Sequence, residues 1–139
     1  MYLLDTNVVS DLRKAGTPTA DSKLIEWASD IESGHLYISS ITVLELEIGV
    51  QRLERRDKRQ GKVLRSWLED KVYPSFEGRV LPFCIDSAAY CAQLHVPDQR
   101  SDRDSFIASI AYVHDMTVAT RNLRDFEGMG VSLVNPWAR

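Results

Sequence analysis

The sequence predicts an α/β fold, a three-layer α/β/α sandwich around a mostly parallel central sheet. Two observations carry this. Short apolar runs with β-branched or aromatic residues recur along the chain, and segments of helical period lie between them. Parallel neighbours need crossover connections, and helices supply them. The 139 residues, 44% hydrophobic and 27% charged, suit one domain over 1–139 that buries about two-thirds of its unfolded surface.

The predicted strands are 2–4, 36–38, 80–83, 117–120 and 131–134. Tyr2-Leu3-Leu4 and Val118-Ala119-Thr120 show the apolar character of buried strands. The predicted helices are 22–32 around Trp27, 41–59 with Ile41, Leu44 and Ile48 as its stripe, 62–71 around Trp67, 87–95 around Tyr90, and 104–114 with Ile107, Ile110, Ala111 and His114 facing the core. Residues 15–20 and 96–102 read as ordinary connections with turn residues. No repeat, low-complexity tract or long linker divides the chain.

A net charge of −3 argues against a uniformly positive surface that coats DNA, although a local patch is compatible with it. Cys84 and Cys91 form neither a metal-ligand pattern nor a disulfide framework, which points to a reducing compartment. Asp5 and Asp11 interrupt any signal-peptide pattern, and no apolar stretch reaches membrane-spanning length. The expected location is the cytoplasm, with no membrane partner.

In open α/β sheets ligands bind beyond the carboxyl ends of the strands. Asp5 sits there, followed by Thr6 and Asn7, although all three are also good helix-capping types. Glu45 lies about 40° from Ile41 and about 60° from Ile48 at 100° per residue, inside the apolar stripe, while Glu47 points the other way. A carboxylate so placed must be paired, protonated or bound to a cation, or reach out from the stripe's edge. Asp104 faces inward about 20° from Ala111, yet Ser101-Asp102-Arg103-Asp104 also fits a helix-start capping pattern. Asn122 and Asp125 follow the strand ending at Thr120, where a turn or cap is the simpler use.

Oxygen ligands converging from four strand ends or helix starts favour a shared Mg²⁺ or Mn²⁺ over Zn²⁺, because His35, His95 and His114 are not clustered. A divalent ion neutralises clustered carboxylates, and can activate a water and stabilise charge on a phosphodiester. Phosphodiester hydrolysis is the chemistry expected.

Leu3-Leu4-Asp5-Thr6-Asn7-Val8, Ser40-Ile41-Thr42-Val43-Leu44-Glu45-Leu46-Glu47-Ile48-Gly49, Asp104-Ser105-Phe106-Ile107-Ala108, Val118-Ala119-Thr120-Arg121-Asn122 and Asn135-Pro136-Trp137 occur in this order over the whole chain. In that order and spacing they resemble the PIN-domain ribonucleases, specifically VapC-type toxins of bacterial type II toxin–antitoxin pairs in the FitB-like subgroup. The resemblance implies a metal-dependent endoribonuclease in which Asp5, Glu45 and Asp104 hold Mg²⁺ or Mn²⁺. It also implies that Thr6, Asn7 and Thr120 steady the acids from behind. The fourth position often carries Asp; here the aligned residue is Asn122, whose carbonyl oxygen is placed ahead of Asp125, three residues on, as the fourth donor. Implied partners are RNA, a VapB-like antitoxin, a second copy in a homodimer, a larger toxin–antitoxin assembly, and operator DNA through the antitoxin only.

Residues 51–65 hold seven basic residues against two acids. Arg52, Arg55, Arg56 and Arg59 follow i, i+3, i+4, i+7 spacing and continue the face of Glu45, with Arg52 about 10 Å along the axis at 1.5 Å per residue. The bland reading is a solvated helix end that complements the dipole. The functional reading is a stripe that guides RNA phosphates or receives an acidic antitoxin segment.

Two rival classes place Asp after a strand and bind Mg²⁺. An aspartate-nucleophile phosphatase wants a second Asp where Asn7 stands, and a receiver domain wants an N-terminal acidic pair and a late strand-end Lys. A third rival is a catalytically weak PIN-type RNA-binding or interaction module regulated by a partner. The retained acids Asp5, Glu45 and Asp104 favour activity.

Overall fold

The computed structural model describes residues 1–138; Arg139, the last residue of the expected 1–139 domain, lies outside the described residues. In chain order the elements are β1 (Tyr2–Leu4), α1 (Thr6–Leu12), α2 (Ser22–Ser29), β2 (Leu36–Ser39), α3 (Ser40–Arg56), α4 (Lys58–Trp67), a π-helical turn (Leu68–Val72), α5 (Tyr73–Ser75), β3 (Val80–Leu81), α6 (Ile85–Leu94), α7 (Asp102–Val113), β4 (Thr117–Ala119) and β5 (Leu133–Val134). The five strands form one sheet in the order β3-β2-β1-β4-β5, and every pairing is parallel. The expected sandwich is present, and its sheet is parallel throughout.

Strand alternation divides the core between the two faces of the sheet. Leu4, Ile38 and Ala119 point to one side, where they meet Val8, Leu24, Trp27, Leu46, Val50 and Leu68 from the first helices. Leu3 and Val118 point to the other and pack on Ile107, Ile110 and Ala111 of α7. Helix α7 is buried on most sides from Ser105 to Ala111. The small side chains at 105, 108, 109 and 111 permit that close approach.

The chain builds outward from β1 through β2 to β3, then returns to place β4 on the free side of β1. The strand order therefore reverses between β1 and β4, and a crevice opens beyond their carboxyl ends. Asp5 immediately follows β1, and Thr120 immediately follows β4.

Three expectations need correction, and one helix was not expected. The predicted helix 41–59 is interrupted at Asp57, whose extended backbone (φ −149°, ψ 100°) ends α3 while its side chain accepts from the Gln60 N–H and caps α4. Leu44 is 48% exposed and does not complete a buried stripe; Thr42, Leu46 and Val50 are the buried positions of α3. His114 follows α7 as an exposed cap residue and is not part of its core face. Helix α1, only seven residues long, is too short to show a period in the sequence.

Candidate active site

The site is assembled from the residues that end β1 and β4 and begin α1, α3 and α7. Asp5 is only 7% exposed. It caps α1, accepting from the Thr6 N–H through Oδ1 (2.8 Å), so the capping use is real. Its Oδ2 faces the crevice and accepts from the Thr120 hydroxyl (2.8 Å) and the Asn7 amide (3.4 Å). One side chain therefore serves as both cap and site carboxylate.

Thr120 is fully buried and acts as a hub: while donating to Asp5, its hydroxyl accepts from the Asn122 N–H (3.0 Å) and the Asn7 amide (3.5 Å). Asn7 in turn accepts from the Arg121 N–H (3.4 Å). The start of α1 and the loop after β4 are thereby locked together around the first carboxylate.

Glu45 enters from α3. Its Oε1 accepts from the Thr6 hydroxyl (2.6 Å), which also contacts the Thr42 hydroxyl (3.1 Å). Its Oε2 lies 3.6 Å from the guanidinium of Arg103. Of the fates the sequence left open for Glu45, the structure realises pairing with an arginine. Asp104 is half-buried in the first turn of α7.

The charges of these acids act on one another. Burial raises the Asp5 pKa from 3.8 to about 6, against the lowering effect of its bonds to Thr120 and Thr6, and the charges of Asp104 and Glu45 raise it further. Burial also raises Asp104, the Ser101 hydroxyl opposes this, and the charges of Asp125 and Glu45 add to the rise. Among the residues after β4, it is thus Asp125 whose charge acts on Asp104. Asn122 is exposed, and its backbone does the local work, donating to Thr120 and accepting from the Asp125 N–H (3.0 Å).

The donors are all oxygens, and their mutual repulsion calls for a cation. Among the described residues, however, no three Asp, Glu, His or Cys side chains converge tightly enough to form a closed metal cage. A surface hollow beside Tyr112, Asp115 and Gly130 lies at the other end of β4 and β5, away from these acids.

The chain belongs to the PIN-domain family: a family model described as PIN domain matches residues 2–130. Over 99% of this chain it is 36% identical to VapC ribonuclease Y4jK of Sinorhizobium fredii, covering 98% of that protein. It is equally 36% identical to Toxin FitB of Neisseria gonorrhoeae, covering 99% of each. Two solved structures are similar over the full length of this chain, each with a TM-score of 0.89. They are FitAcB from Neisseria gonorrhoeae (35% identity, 100% of that chain) and FitAB bound to an IR36 DNA fragment (34% identity, 97% of that chain). Among the described residues no helix is long and apolar enough to cross a membrane.

The basic stripe is exposed but divided. Arg52, Arg55 and Arg56 lie on α3, whereas Arg59 belongs to α4 beyond the break and leaves their helical frame. Arg65, counted in the same basic segment, is taken up by acids: it bonds both carboxylate oxygens of Glu47 (3.0 and 2.9 Å) and both of Glu54. Glu47, which faces away from the site, also accepts from the Tyr73 hydroxyl (2.6 Å). This network braces α3 against α4.

Sequence reasoning missed three arginines around the acids. Arg103 pairs with Glu45 across the cleft, and Arg13 lines a groove shared by Thr6, Glu45 and Trp67. Arg121 is bound to Asp11 (2.7 Å) and lies over the ring of Trp137 (4.2 Å). Two sequence signals pointed to them: Arg103 directly precedes a candidate acid, and Arg121 directly follows a strand end.

Proposed function

We propose that this PIN-domain chain is a VapC-type ribonuclease, the toxin of a toxin–antitoxin pair, that hydrolyses RNA phosphodiester bonds with Mg²⁺ or Mn²⁺. The observation that carries the reading is Asp5, a buried carboxylate at the strand-order reversal whose ionisation is opposed by burial and by two further acids. Similarity to a VapC ribonuclease and to Toxin FitB supports it.

In this reading Asp5 and Asp104 hold the ion directly, Glu45 flanks it, and Asp125 completes the acid set in place of Asn122. Thr6, Asn7 and Thr120 fix the orientation of Asp5 and Glu45 through the bonds described above. The bound ion would supply positive charge at the phosphodiester and polarise an attacking water. Hydrolysis adds water to phosphorus and breaks one P–O bond to ribose. The rigid hydrogen-bonded frame keeps the acids in position without reorganisation as charge builds on the phosphate.

An antitoxin is the proposed protein partner, with operator DNA engaged through it. FitAcB and DNA-bound FitAB, the complexes to which this chain is similar, support both. A homodimer within a larger assembly completes the proposal.

The test compares the purified antitoxin-free protein with Asp104→Asn on RNAs that include tRNA, in Mg²⁺, Mn²⁺ or EDTA, with folding of both verified. Cleavage that needs the metal and disappears in the variant is the expected result. Cleavage that survives EDTA or the substitution overturns the assignment.

A further inference from the structure

The acids that would bind a cation also repel RNA, and among the described residues Arg103 is the basic side chain that forms an ion pair with one of them, Glu45. We propose that Arg103 is a substrate-binding residue that grips an RNA phosphate beside the candidate metal site and rests on Glu45 when RNA is absent. The inference rests on the nuclease reading above and adds a residue to it.

Three observations favour a working rather than a structural role. Arg103 lies in the first turn of α7, where the helix dipole disfavours a cation. Its position is therefore not explained by its own helix. The contact with Glu45, at 3.6 Å, is an ion pair too long for a hydrogen bond, and among the described residues the Arg103 guanidinium makes none. Its five N–H donors remain available to a new acceptor. The side chain is about half exposed, unlike Arg65, whose donors are committed to Glu47 and Glu54.

The resting partner makes release straightforward. Glu45 is held by Thr6 through its other oxygen, so it keeps its orientation when Arg103 departs. A divalent cation against the acids would weaken the hold of Glu45 on the guanidinium. A phosphate entering the cleft offers a better partner, because its oxygens match the planar fork of arginine bidentately. The guanidinium stays compensated throughout, because it exchanges a carboxylate for a phosphate.

The experiment measures binding of a short, labelled, mixed-sequence single-stranded RNA in EDTA, where the nuclease reading allows no cleavage. It uses wild type, Arg103→Ala, Arg103→Gln and Arg103→Lys across a salt series. Mn²⁺ affinity without RNA is measured in parallel. Arg103→Ala and Arg103→Gln are expected to weaken RNA binding about tenfold and to reduce the salt slope by about 0.7, the value of one single-strand phosphate contact. Arg103→Lys should keep the slope and recover part of the affinity, and Mn²⁺ affinity should hold or tighten. RNA binding and slope unchanged in both neutral variants overturn the proposal, whatever happens to Mn²⁺. Wild type that binds neither RNA nor Mn²⁺ overturns the nuclease reading and this inference with it. Weakened RNA binding beside intact Mn²⁺ affinity separates substrate contact from support of the metal site.

Discussion

Replacing Asp5 by Asn should stabilise the metal-free protein, an unusual outcome for a buried residue at the end of a core strand. The fold holds the Asp5 pKa at about 6 against 3.8 for the free group, so folding favours its protonated form. That preference is fully realised below about pH 4 and is lost as the pH rises through about 6. At 1.36 kcal/mol per unit, the penalty near pH 7 is about 3 kcal/mol. Asn mimics the protonated acid and caps helices about as well as Asp, so the Thr6 bond survives. Its amide nitrogen takes the place of Oδ2, where the Thr120 hydroxyl can turn to accept and the long Asn7 contact is lost, which makes the gain an upper bound. Urea unfolding in EDTA should therefore show Asp5→Asn more stable than wild type by up to about 3 kcal/mol near pH 7, shrinking to about 0.5 kcal/mol near pH 4. Saturating Mn²⁺ should raise the wild type and leave the variant nearly unmoved, because a ligand that binds only the native state stabilises it. A variant less stable than wild type near pH 7 in EDTA would refute the reasoning, since Asp5 would then be a satisfied structural carboxylate.

Three further outcomes follow from other parts of the molecule. Gly61→Ala would place a Cβ 2.4 Å from the Glu54 Cα, so α4 can no longer lie against α3; a loss of about 2–3 kcal/mol in urea unfolding is expected, and a neutral result would mean the hairpin yields cheaply. Glu47→Gln breaks the Arg65 ion pair and weakens the Tyr73 bond, at a cost of about 1–2 kcal/mol by thermal or urea unfolding, with RNA cleavage in the folded variant unchanged. Joint charge reversal of Arg55 and Arg56 should weaken binding of RNA or antitoxin by about tenfold or more, most strongly at low salt. Unchanged binding of both would assign these arginines to a solvated helix end.

The parts of this fold legible in the sequence are those decided locally. Apolar runs mark the strands, and the polar oxygens that follow them mark the ends where ligands gather. Asp5 was visible for that reason, whereas Thr120 read as the last residue of its strand and the structure places it just beyond β4. What stayed hidden depends on contacts between distant segments. Asp57 is no strong helix breaker, and α3 ends there because Gly61 lets the chain fold back closely on Glu54. Leu44 reads as core by spacing, but burial follows the neighbours of α3, which cover Thr42, Leu46 and Val50 instead. Asp125 and Asn122 are near-equivalent oxygen donors in the sequence. That Asp125 alone of the two is charged is plain from the sequence; that its charge lies near enough to act on Asp104 is shown only by the turn after β4. The pairing of Arg103 with Glu45 was hidden because Glu45 lies 58 positions earlier on another helix, although the place of Arg103 beside Asp104 was in view.

The arrangement of charge resolves a conflict built into any acidic nuclease site. In the proposed reading, the four carboxylates that would attract a divalent ion would also repel RNA. Long-range attraction can come from Arg52, Arg55 and Arg56, which are exposed and unencumbered by salt bridges among the described residues, but α3 carries them away from the acids. They can draw RNA toward the molecule without positioning a particular phosphate. That second task needs a cation inside the cleft, close to the acids yet not locked to them. Arg65 is locked by hydrogen bonds to two glutamates, and Arg121 by Asp11 and the Trp137 ring. Arg103 alone of these three is held by a single long contact, to a carboxylate of the acid cluster itself.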